Sequence, residues 1–127
     1  MTARRGSEAG QATVELALLL PVVAVLVLAI LQLGLVARDV VLVTHASREA
    51  ARAAAVDADP DAARRAAVAT PGLDEDRLRV VTSGGDEAGD RVRVEVIYRV
   101  PTAVPVVGAL LGDRTVRSTT TMRVEHP

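Results

Sequence analysis

At 127 residues with one long apolar run, the chain has room for a single small domain beyond that run. Sixteen acidic against fifteen basic residues leave a formal net charge of −1, so no overall basic field argues for nucleic acid, and no RNA-binding, zinc-finger or phosphate-loop signature is present. Cysteine is absent, which excludes disulfides and thiolate metal sites, and with one Tyr, no Phe and no Trp the core has to be built from Val, Leu and Ala.

Residues 1–10 read as a short polar leader, with Arg4 and Arg5 set against Glu8. Positive charge before a first span favours an N-terminus kept in the cytoplasm. Residues 16–37 then form a run of 22 without an ionisable side chain, of which 15 are Leu, Val or Ile. As a helix rising 1.5 Å per residue such a run crosses a hydrocarbon core of about 30 Å. Insertion scales give about −5 to −9 kcal/mol for those 15 residues, which the acid at position 15 cannot offset. The run is also longer than the 7–15 residue apolar region of a secretory signal peptide, and it continues into more helix. Pro21 removes one backbone hydrogen bond from the span and is expected to kink or loosen it. Gln32 and Gly34, near the far end, offer an interhelical hydrogen bond and a close contact.

Residues 38–56 contain neither Gly nor Pro and are rich in Ala, so the helix is expected to continue to about Val56. Ala46, Ala50, Ala53 and Ala54 recur at helical spacing on one face, with Arg48 and Arg52 on another. Pro60 ends that helix, and 61–69 reads as a short second one capped by Asp61 and closed by Pro71-Gly72. From Arg77 the period changes to two. Leu78, Val80 and Thr82 form one alternating set, and Val92, Val94, Val96, Tyr98 and Val100 another, with a Gly-rich turn over 84–89 between them. Pro101 and Pro105 bracket a loop into an apolar turn over 106–111, and Val116, Ser118, Thr120, Met122 and Val124 share a face of a last strand. The expected fold is α+β: a long N-terminal transmembrane helix continuing into an extracytoplasmic domain, where its outer half covers a three-stranded antiparallel β-meander. The expected division is 1–10 leader, 11–37 transmembrane helix, and 38–127 helix plus meander.

Residues able to carry chemistry are sparse. Asp57, Asp59 and Asp61 imitate the opening of a calcium loop, but Ala62 and Val68 stand where such a loop needs Gly and Glu, so a solvated turn is the better reading. His45 and His126 have no neighbouring ligand residue, and neither Ser47 nor Ser118 has a His or Asp at motif spacing. No catalytic residue, metal site or cofactor is expected. A membrane-tethered hydrolase would need a paired acid site that is not found. The one carboxylate calling for explanation is Glu15, because an acid at a membrane edge is costly unless it reaches the headgroups or is paired. A cut after Gly10 would place it fifth in the mature chain and free an amine at Gln11. That amine, on an adjacent subunit, would neutralise it and fix the register of assembly.

Three stretches carry a family resemblance: Gly10-Gln11-Ala12-Thr13-Val14-Glu15-Leu16-Ala17-Leu18-Leu19-Leu20-Pro21, Gln32-Leu33-Gly34, and Ala46-Ser47-Arg48-Glu49-Ala50-Ala51-Arg52-Ala53. Over about 6–56 the chain resembles the TadE-like pseudopilins of tight-adherence (Tad/Flp) pilus systems, which are type IV pilin-like. Leu16 stands where many members carry an aromatic residue. The resemblance implies a non-enzymatic minor pilin or assembly component, with Gly10 and Gln11 as the processing site and Glu15 as the assembly glutamate. It further implies as partners a prepilin peptidase, the Flp-type major pilin, other pseudopilins, an inner-membrane platform and an assembly ATPase, in a lipid bilayer. Its location would be the cytoplasmic (inner) membrane in a single pass, or the pilus itself. The rival reading is an uncleaved signal-anchored module that presents the meander to an extracellular ligand.

Overall fold

The computed structural model describes residues 5–101, 112 and 114–125. The apolar turn expected over 106–111, and His126, lie outside them. One helix sets the frame: α1 (Arg5–Val56) runs unbroken for 52 residues and passes through Pro21, a length of about 78 Å at helical rise. It stops where expected, because the sequence Asp59-Pro60 that follows disfavours helical backbone before the proline. The chain then folds back through α2 (Ala62–Val68) and a single 3-10 turn, Glu75–Arg77, into three strands. These are β1 (Leu78–Ser83), β2 (Arg91–Val100) and β3 (Arg114–Arg123).

The strands form an antiparallel meander in the order β1-β2-β3. Leu78 pairs with Tyr98, Val80 with Val96, Val94 with Thr120 and Tyr98 with Val116, so the period-two pattern of the sequence does put the apolar sets on one face. Val92, Val94, Val96, Tyr98 and Val100 are buried there. Thr82 shares that face by register with Val94 yet stays exposed, because the end of the edge strand projects past the cover.

Two helices supply the cover. α1 lies over β2 and β3, and α2 lies beside α1 toward β1. Ala46, Ala50 and Ala51 are fully buried in the seam, joined by Val43, Ala55, Ala63 and Ala67. With no large aromatic except Tyr98, density comes from closeness: alanine lets the helix backbone approach the valine layer without leaving voids. β3 follows α1 in the same direction. Ser47 Oγ lies 2.9 Å from both Ser118 Oγ and Thr120 Oγ1, and further along the Glu125 N–H donates to the Ala55 carbonyl at 2.8 Å. The Ser47 hydroxyl also donates to the Thr44 carbonyl at 2.9 Å. Its single proton is then committed, so Ser118 and Thr120 are the donors to it, and a fully buried polar atom is satisfied.

Gly84 and Gly85 are fixed by close approach: a Cβ at Gly84 (φ 74°) would stand 2.7 Å from the Arg91 carbonyl oxygen, and one at Gly85 (φ 89°) would stand 2.9 Å from the Val92 Cβ. Both close the β1–β2 turn onto the core, and Gly72, where the chain folds back against α1, is called for by its positive φ of 91°.

Truncation of the fully buried Val94 to Ala is expected to lower the unfolding free energy by about 1.5–3 kcal/mol. Thr119→Ala, on the exposed face of β3, should change it by less than about 0.5 kcal/mol. Denaturant titration of the detergent-solubilised chain, followed by Tyr98 fluorescence, measures both.

Candidate functional site

The unusual region is the first half of α1. Residues 10–27 are exposed without exception, and Leu18 keeps 71% of its surface open. A helix this long and apolar is suited to crossing a membrane. From residue 28 one side of the helix becomes covered, while Ile30, Leu31 and Leu33 stay exposed. Leu28 and Ala29 are half-buried, Gln32 is 6% exposed, Val36 is half-buried and Asp39 is 7% exposed.

That change fixes a distance. Glu15 and Gln32 are 17 residues apart in one continuous helix, or about 26 Å along its axis. A hydrocarbon core is about 30 Å thick. If Gln32, covered within the folded chain, marks the outer boundary, Glu15 falls inside the opposite boundary rather than beyond it. Glu15 is exposed and makes no ion pair with any described residue. Nothing in the described fold neutralises it.

Gly10 adds a second anomaly. A Cβ there would meet nothing within 4 Å, while glycine inside a helix costs about 1 kcal/mol relative to alanine. Among the described residues, neither packing nor backbone conformation calls for glycine at this position. The peptide bond from Gly10 to Gln11 lies within α1 and on the exposed stretch. Gly34 likewise contacts nothing through a notional Cβ. The Gln32 Oε1 is buried and has no hydrogen-bond partner among the described residues.

The other candidates resolve into structural roles. Asp57 and Asp59 turn their Oδ1 atoms to the N–H groups of Asp59 and Asp61, at 3.0 and 2.9 Å. Arg65 donates to Asp59 Oδ2 at 2.8 Å and lies 3.7 Å from Asp57 Oδ2. The Asp61 N–H, with Arg65 second, holds the Asp59 carboxyl below its usual range. Asp61 occupies the cap position of α2 but makes no side-chain capping bond. Its backbone is helical there, which turns the carboxyl away from the N–H groups a cap would serve. Arg64 and Glu75, 2.9 Å apart on the surface, join α2 to the turn before β1. His45 is exposed on α1. Ser47 and Ser118 do come together, through a pairing 71 residues apart that no spacing motif signals, but as the satisfied hydroxyl seam described above.

Set against known proteins, residues 10–52 match the family model described as TadE-like protein. No curated protein and no solved structure matches the chain.

Asp39 provides a test of the boundary. Burial pushes its carboxyl above the usual value of 3.8, with Arg38 pulling the other way. The folded chain therefore holds this proton more tightly than the unfolded chain does. Its contribution to stability is full below about pH 3.8 and fades as pH rises through the elevated pKa. Asp39→Asn should stabilise the fold at neutral pH, with a gain that shrinks on acidification. Urea unfolding at a series of pH values reads the difference.

Proposed function

Starting from a chain whose residues 10–52 are TadE-like, we propose that the protein is a minor pilin or pseudopilin of a tight-adherence pilus. It works through α1 and catalyses nothing. In the membrane the exposed half of α1 anchors it in a single pass, with the N-terminus in the cytoplasm and the sheet domain outside. A prepilin peptidase cuts between Gly10 and Gln11. The helix then packs against the helices of the Flp-type major pilin and other pseudopilins, on an inner-membrane platform driven by an assembly ATPase.

The observation that carries this reading is the pairing of two features that the described fold does not use. Gly10 is a glycine without a conformational or packing reason in the chain, which is what recognition by a separate enzyme would leave behind. Glu15 is a bare carboxylate about 26 Å along the helix from Gln32, the first buried residue after the exposed stretch, hence at lipid depth. A charge in that position is costly until it is paired. The amine released at Gln11 is a partner of the right sign, and it exists only after the cut. Within one chain, Glu15 lies four residues along the helix from that amine. An amine on a neighbour displaced along the axis can pair with it as well, and where it does, neutralisation fixes how far adjacent subunits are offset.

Mass spectrometry of membrane-extracted protein should find an N-terminus at Gln11 in cells with a working prepilin peptidase, and an intact chain in cells without one. Replacing Gly10 with Ala should leave the chain folded and uncleaved. Glu15→Ala should be made and processed at normal levels yet abolish piliation, as seen by electron microscopy. An intact chain in the presence of the peptidase overturns the processing step, and normal piliation in Glu15→Ala overturns the assembly role.

A further inference from the structure

The side of the sheet turned away from the helices is strongly asymmetric in charge. The residues alternating with the buried set are Arg79 on β1, Arg91, Arg93 and Arg99 on β2, and Arg117 and Arg123 on β3, all exposed, with Glu95 the one acid among them. A one-sided sheet is ordinarily polar on its open face, but six arginines to one acid is more than solvation requires. The placement also carries a cost. Arg91 stands directly opposite Arg123 in the ladder, and like charges at that spacing oppose pairing of the strands. None of the six makes an ion pair with a described residue.

The opposite charge gathers at one end of the same domain. The Gly89 N–H donates to the Val124 carbonyl, the Val124 N–H to the Asp90 carbonyl, and the Glu125 N–H to the Ala55 carbonyl. These bonds draw the β1–β2 turn, the end of β3 and the end of α1 together. Asp86, Glu87, Asp90 and Glu125 lie on or beside that end, exposed and without ion pairs to described residues. The whole chain carries −1, so the excess of five positive charges on the flank is balanced elsewhere on the same molecule.

We infer that the arginine flank docks the acidic end of a second copy of this chain. The inference deepens the assembly reading and rests on it. Guanidinium groups suit this role because each binds a carboxylate through two parallel hydrogen bonds. Flank and end are different patches that adjoin at Arg123 and Glu125, so the contact is heterologous: one copy keeps its end free and the other its flank, and such contacts extend into a line instead of closing a pair. The bilayer is the poorer match. β3 runs with α1, so the flank faces sideways from the helix axis and presents no more than its edge to a membrane surface.

Because the chain has no cysteine, paired cysteines test the contact cleanly. Full-length chains carrying Thr121→Cys, on the flank, and Ala88→Cys, in the acidic turn, are reconstituted together in phosphatidylcholine vesicles and oxidised. The expected result is a mixed disulfide several-fold more abundant than either homodimer, reduced to the homodimer level in about 0.5 M salt, where screening acts within a few ångströms. Arg91→Glu, Arg93→Glu and Arg123→Glu together should remove it. Lys at those positions should keep it, and reversing Asp86, Glu87 and Asp90 to Arg in the other copy should restore it. Equal mixed and homodimer yields, or a mixed disulfide indifferent to charge reversal, overturn the inference. So does loss of binding to phosphatidylglycerol vesicles as the sole effect of reversal, which would make the flank a lipid surface. Leu19→Cys, on the exposed stretch of α1, separates the two readings. If it cross-links while the flank pair does not, helix-mediated assembly stands and the flank contact fails; if neither forms, both fail.

Discussion

α1 has to satisfy two environments with one unbroken set of backbone hydrogen bonds. Its first half offers leucine and valine in every direction and finds no cover among the described residues. Its second half narrows to alanine and serine and accepts a sheet. The two compositions answer different needs. Lipid or other apolar helices reward large side chains all round, whereas a helix pressed onto a valine layer needs small ones. No Gly, Pro or turn lies between the halves from 35 to 56, so the sheet domain cannot reorient without bending the helix itself. Depth of the apolar half and position of the domain are therefore a single variable, and the geometry of Glu15 follows from where the cover begins.

Much of this arrangement could be read from residues alone. The end of α1 at Val56 was legible because Pro60 follows within a turn, and β2 because valine alternates with arginine over 91–100. The meander followed from short Gly-rich connections. What escaped reading depends on distance in space. The hydroxyl seam joins Ser47 to Ser118 and Thr120, more than 70 residues away, with nothing local to mark it. Asp61 looked like a cap by residue type, but the preceding carboxylates, in the alternation Asp57, Asp59, Asp61, take over the turn. Gln32 was read near the far end of the span, and its burial, like that of Asp39, comes from tertiary cover that hydropathy does not encode.

Charge shows the same limit more sharply. A net charge of −1 suggests a surface with no strong preference, and for the composition that is correct. The fold then sorts the charges: alternation along β2 and β3 sends arginine to one flank, while turns and helix ends collect the acids. Summed charge is a property of the chain, but its dipolar distribution is a property of register, and a one-residue slip of β2 would exchange its arginines with its valines.

The backward extent of α1 has its own consequence. Helix reaches past Gly10 to Arg5, so the Gly10–Gln11 amide sits in a hydrogen-bonded coil rather than in an extended strand. A protease active site grips extended backbone, so any cut at this bond would require the first turns to melt. Helix ends fray at little cost, and Gly10 weakens this one further. Contact with neighbouring helices would suppress that fraying. Under the assembly reading, subunit packing protects any leader still attached. On that reading the order of events would be kinetic: cleavage would precede incorporation, and a chain that joined its neighbours too early would keep its leader.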